Sequence, residues 1–86
     1  MTQLRLRSDV TWREADNEVL AVDGGFKNYA STNASGRVLW KALAGGASRD
    51  DLVQALVSEF GITVGRASQD VDGFVGDLAA NGFLDA

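Results

Sequence analysis

The strongest constraint on this chain is a change of hydrophobic period at Asn33, inside the stretch from Tyr29 to Leu43. Upstream, apolar residues alternate with polar ones, as a half-buried strand requires. Downstream they recur every three or four residues, as an amphipathic helix requires. Sheet must therefore come first and helices after it. Asn33 sits where a helix N-cap belongs, because its side-chain oxygen can accept a backbone N–H two or three residues on. Behind it Val38, Leu39, Ala42 and Leu43 form one apolar stripe, with Trp40 outside the strict stripe but large enough to reach its edge.

The first third of the chain reads as strands. Leu4 and Leu6 alternate with arginines, and Val10 and Trp12 continue the period to Arg13 or Glu14, before a turn at Asp16-Asn17. Val19 to Val22 makes a second strand. Asp23-Gly24-Gly25 is a tight turn whose glycines permit positive φ, and Phe26 to Ser31 makes the third strand. Two short connections predict an antiparallel meander with an exposed edge.

Three helices follow. The first runs from Asn33 to Ala44 and stops at Gly45-Gly46. Ser48 caps the second through the N–H of Asp51, and Asp50 and Asp51 suit the positive end of its dipole. Leu52, Val53, Leu56, Val57 and Phe60 form its apolar face, and Gly61 ends it. Ile62 and Val64 are expected to plug the core across the connection. The third helix starts near Gly65 and ends at Asn81-Gly82, burying Ala67, Val71, Phe74, Val75 and Leu78. Gly82 is the expected C′ glycine, and Phe83 and Leu84 fold back on the core. The fold class is α+β: a three-stranded antiparallel sheet followed by a three-helix bundle, winged helix-turn-helix-like, in a single domain over 1–86.

Composition narrows the chemistry. A chain of 86 residues buries roughly 60–65% of its unfolded surface, enough for one core and no deep cavity. With no histidine and no cysteine, imidazole acid–base catalysis, thiol nucleophiles, disulfides and most transition-metal sites are excluded. The twelve carboxylates are spread singly, and Asp50-Asp51 is explained as helix-start charge. Gly24-Gly25 lie in a hairpin turn and cannot cradle a phosphate. The longest aliphatic run, Val19 to Val22, is far short of a bilayer span, and the alternating N-terminus is no secretory signal. Asn33-Ala34-Ser35 is therefore a sequon by coincidence. The expectation is a cytoplasmic protein that is not an enzyme and needs no cofactor or metal.

The second and third helices, joined by Gly61-Ile62-Thr63-Val64, have helix-turn-helix spacing. The would-be recognition helix carries Arg66 against Asp70, Asp72 and Asp77, and phosphates would repel it. The net charge of −4 points the same way. What remains is a binding module. In the third strand Phe26, Asn28 and Ala30 face one way and Lys27, Tyr29 and Ser31 the other. Its edge can accept an extended peptide. Gly73 and Gly76 lie inside the third helix at about 1 kcal/mol each relative to alanine. Either they let another backbone approach beside Arg66, Asp70 and Asp77, or they relieve crowding against neighbouring helices. Spacing does not choose between the two.

The series Leu4-Arg-Leu-Arg7, Val10-Thr-Trp-Arg13, Val19-Leu-Ala-Val-Asp23, Tyr29, and Asn33-Ala-Ser-Gly-Arg-Val-Leu-Trp40 resembles the PqqD-like family. The resemblance continues through Gly46-Ala-Ser-Arg-Asp-Asp-Leu-Val53, Glu59-Phe-Gly61, Asp70-Val71, Phe74, Leu78 and Gly82-Phe-Leu84, over essentially the whole chain. Thr32 departs from the large aliphatic residue that family members commonly have there, and the two helix glycines depart as well. Members are recognition elements for ribosomally made, post-translationally modified peptides (RiPPs), in PQQ, lasso-peptide and other systems. The resemblance implies that a precursor's leader docks as an added strand between the third strand and third helix. Phe26, Lys27, Asn28, Tyr29, Ala30 and Ser31 would form one wall, and Asp70, Gly73, Phe74 and Asp77 the other. Tyr29 or Phe26, with Phe74, would line a pocket for an apolar anchor. The implied partners are that leader and a separate peptidase, cyclase or radical enzyme, with no nucleic acid, no membrane and a monomeric state. The alternative is a winged-helix regulator of DNA or of a protein partner.

Overall fold

The computed structural model describes residues 3–16, 18–25 and 29–85. Its elements are β1 (Arg5–Leu6), β2 (Thr11–Ala15), β3 (Glu18–Val22), β4 (Tyr29–Ser31), α1 (Ala34–Ala44), α2 (Arg49–Phe60), α3 (Val64–Ala80) and β5 (Leu84–Asp85). β2, β3 and β4 form an antiparallel sheet in that order. Register aligns Trp12, Ala21 and Ala30 across it. This is the expected three-stranded sheet followed by three helices.

The expected first strand is two strands. β1 pairs antiparallel with β5, Arg5 opposite Asp85 and Leu6 opposite Leu84. Leu4 bridges Ala47. Between β1 and β2 the chain turns, the Val10 N–H reaching the Arg7 carbonyl at 3.2 Å. Alternation hides this break because Leu4, Leu6, Val10 and Trp12 all pack against one core. Only Ser8-Asp9, a short turn-forming pair, marks it locally.

The helix ends follow local chemistry. Asn33 Oδ1 accepts from the Gly36 N–H at 3.0 Å. Ser48 and Asp51 form a reciprocal capping box, with bonds of 3.1 and 3.0 Å. Thr63 caps α3, which begins at Val64. Gly61 closes α2 at φ 64°, and Gly82 follows α3 at φ 77°, the left-handed conformation that favours glycine.

The core lies between the sheet and the helices, where Val19 and Ala21 of β3 meet Leu39, Trp40 and Leu43 of α1. Trp40 is fully buried, a correction to its expected place at the edge. α1 touches both β3 and α2, so its buried arc is wider than one stripe. The indole packs edge-on to Trp12 at 6.4 Å and to Phe83 at 6.0 Å, favourable separations for aromatic pairs. Phe83 is buried, as expected. Two apolar residues are less buried than expected: Phe60 is 42% exposed and Val64 55%. Phe60 is the last residue of α2, and Val64 precedes the first buried position of α3, Ala67.

Candidate functional site

Among the described residues β4 is an edge strand, bonded to β3 on one side. The Thr32 N–H donates to the Val19 carbonyl at 3.0 Å, which identifies Val19 opposite Thr32 as a bonded pair. Two residues on, Ala21 opposite Ala30 is another. The N–H and C=O groups of Tyr29 and Ser31 therefore point away from β3, toward the open side. Side chains alternate the other way. Ala30 shares the helix-facing side with buried Ala21, while Tyr29, 84% exposed, lies on the outer face.

The open edge runs beside a groove whose far wall is α3. A hollow of about 350 Å³ is lined by Ala30, Ser31, Thr32, Asn33 and Gly36 on one side and by Phe74, Asp77, Leu78, Asn81 and Phe83 on the other. It continues past the start of α1, where Asn33, Ser35 and Gly36 face Arg66, Asp70 and Phe74. At its end Phe60 and Ile62 join Arg66 and Asp70. The walls run in opposite senses: Asp77 and Asn81 lie toward Ala30, and Arg66 lies toward Ser35.

Thr32 fixes the corner of this groove. Its hydroxyl accepts the Val19 N–H at 3.2 Å, replacing the carbonyl that a regular ladder would use. Gly36 is the complement, because a Cβ there would lie 2.7 Å from the Thr32 Cβ. Only a glycine lets α1 begin this close to the strand end.

Charge is arranged differently inside and outside the groove. Outside, Glu14 is bound by Arg37 at 2.7 Å and Lys41 at 3.3 Å. Arg49 grips Asp72 through bonds of 2.7 and 3.0 Å. Hydrogen bonds from Arg37 and then Lys41 hold the Glu14 carboxyl below its ordinary range, and Arg49 does the same for Asp72. Within the groove, Arg66, Asp70 and Asp77 form no ion pair among the described residues. No three carboxylates converge as a metal site among the described residues.

Of the sequence-predicted site, Ala30, Ser31, Asp70, Phe74 and Asp77 line this groove. Gly73 lies next to them on α3 without lining it, and a Cβ there or at Gly76 meets nothing within 4 Å among the described residues. Relief of helix crowding therefore does not explain either glycine. Tyr29 stands on the outer face and so is not the expected partner of Phe74. Phe26, Lys27 and Asn28 lie outside the described residues. Sequence reasoning missed Thr32, Asn33, Gly36 and Asn81. Asn81 was within reach, since it continues the spacing Asp70, Phe74, Asp77 on one helix face.

An open strand edge beside a helix-walled groove is the architecture that β-strand addition requires, here carried on a small sheet and three helices. The chain belongs to the PqqD family: the family model for coenzyme PQQ synthesis protein D (PqqD) matches residues 6–84. No curated protein matches the sequence significantly. Among solved structures it is similar to TbiB1 in complex with the TbiA(beta) leader peptide, with a TM-score of 0.88 and 22% identity over 95% of each chain. It is also similar to lasso peptide synthetase B1 complexed with the leader peptide, with a TM-score of 0.85 and 26% identity. That match covers 99% of this chain and 100% of the other.

Proposed function

We propose that this protein is a non-catalytic recognition domain for the leader segment of a ribosomally made precursor peptide. The leader adds as a strand antiparallel to β4, and the domain presents the precursor to separate maturation enzymes, a peptidase, a cyclase or a radical enzyme. It acts as one domain over 1–86, a monomer in the cytoplasm, without cofactor or metal. The observation that carries this reading is the outward direction of the Tyr29 and Ser31 backbone groups beside the groove, which offers main-chain bonds and side-chain subsites together. Membership of the PqqD family and leader peptides in both similar structures support it. A DNA-binding regulator receives no such support, since Asp70, Asp72 and Asp77 are exposed along α3.

The test is titration of the synthetic leader of the accompanying precursor peptide, with circular dichroism as the folding control. Ser31→Pro removes an N–H on the open side and leaves the β3–β4 ladder intact, because edge strands tolerate proline there. It is expected to weaken binding by about tenfold, through the lost bond and the crowding ring. Gly73→Leu places a large side chain at the rim on a helix that has room for it, and binding should weaken again. Unchanged affinity in both folded variants would move the site, to the outer face of α1 and α2.

A further inference from the structure

The groove's charges are unevenly placed. Arg66 and Asp70, one turn apart on α3, line the same hollows and balance each other. At the β4 end Asp77 is the one charged residue, among those described, that lines the hollow. Its carboxylate holds no ion pair among the described residues, and it is Asp77's backbone carbonyl that accepts from the Asn81 side chain, at 2.8 Å.

Strand geometry converts this asymmetry into an order of residues. In a strand added antiparallel to β4, residues opposite Ser31 and Tyr29 make the backbone bonds. The residues beside Thr32 and Ala30 turn their side chains toward the helices, as Ala30 itself does. A leader running that way passes Thr32 before Ala30. Phe74 also lines the hollow with Asn33 and Ser35, whereas Asp77 and Asn81 line the one with Ala30. The leader therefore meets Phe74 first and Asp77 second. The rise from Phe74 to Asp77 is about 4.5 Å along the helix, and two strand residues span about 6.6 Å. Successive inward-facing side chains thus fall on these two residues.

We propose that the groove reads an apolar–any–basic triplet in the leader, from N- to C-terminus: an aliphatic or aromatic anchor over Phe74, and a lysine or arginine over Asp77. This rests on the leader-binding reading above, its antiparallel sense included, and adds to it the place and sign of one specificity position. A leader threaded in the opposite sense would place its basic residue before the anchor.

A display library tests it, with decapeptides that carry one leucine anchor and Lys, Glu or Gln at every other position. Lysine should be enriched two residues C-terminal to the anchor, by about two- to fivefold over glutamine at low salt, as an exposed ion pair allows. The preference should shrink at high salt. Asp77→Asn should abolish it, Asp77→Lys should turn it to glutamate, and Asp72→Asn, outside the groove, should leave it in place. Binding without charge preference, lysine enriched N-terminal to the anchor, or a preference that survives Asp77→Asn overturns the inference and spares leader binding. Failure of both the decapeptides and the natural leader to bind overturns both.

Discussion

Thr32 shows how one side chain tunes this fold. Val19 is fully buried, and its N–H has the Thr32 hydroxyl as partner at 3.2 Å. A buried N–H without a partner costs about 1–3 kcal/mol. Thr32→Val keeps the shape against Gly36 and removes the hydroxyl, so it should destabilise by that amount. Thr32→Ser keeps the hydroxyl and should recover most of the loss. Urea denaturation measures both, and amide exchange at Val19 reports the bond directly. Equal stability of Thr32→Val and wild type would mean that the hydroxyl contributes nothing to the β3–β4 corner.

Among the elements, α1 and α3 use glycine for opposite reasons. At Gly36 a Cβ would press on Thr32 at 2.7 Å, so the helix start and strand end must shift to admit alanine. At Gly76 a Cβ meets nothing within 4 Å among the described residues, and Gly76 is exposed inside α3. Gly76→Ala is therefore expected to stabilise by up to about 1 kcal/mol through helix propensity. Gly36→Ala is expected to destabilise, by about 1–3 kcal/mol of overpacking. Thermal melts of the two variants should move in opposite directions, and a shift of the same sign in both would refute the distinction.

At the scale of the whole molecule, Phe83 joins the two ends of the chain to the core. It is buried, meets Trp40 edge-on at 6.0 Å, and its carbonyl accepts the Arg7 N–H at 2.9 Å. Phe83→Ala should cost about 3–5 kcal/mol, a large share of the stability of a small domain. Val64→Ala, at a residue 55% exposed, should stay within about 0.5 kcal/mol. Chemical denaturation compares the two, and comparable losses would show that the C-terminal closure is not what holds the core.

Sequence alone was enough for whatever is decided within a few residues. The change of period at Asn33, the caps at Asn33 and Ser48, and the left-handed glycines Gly61 and Gly82 all follow from neighbours along the chain. The order of strands and helices follows from them, as does the open edge at Ala30 and Ser31. Tertiary structure decided the rest. Periodicity records that Leu4 and Leu6 are half-buried, and it cannot say that β1 pairs with β5 from the other end of the chain. It marks one stripe on α1, while the sheet on one side and α2 on the other bury Trp40 as well. It places Asp70, Phe74 and Asp77 on one helix face, but Thr32, Gly36 and Asn81 join them only when α3 packs beside the end of β4. A local pattern specifies which face is buried, whereas the surface that meets it depends on contacts between segments far apart in the chain.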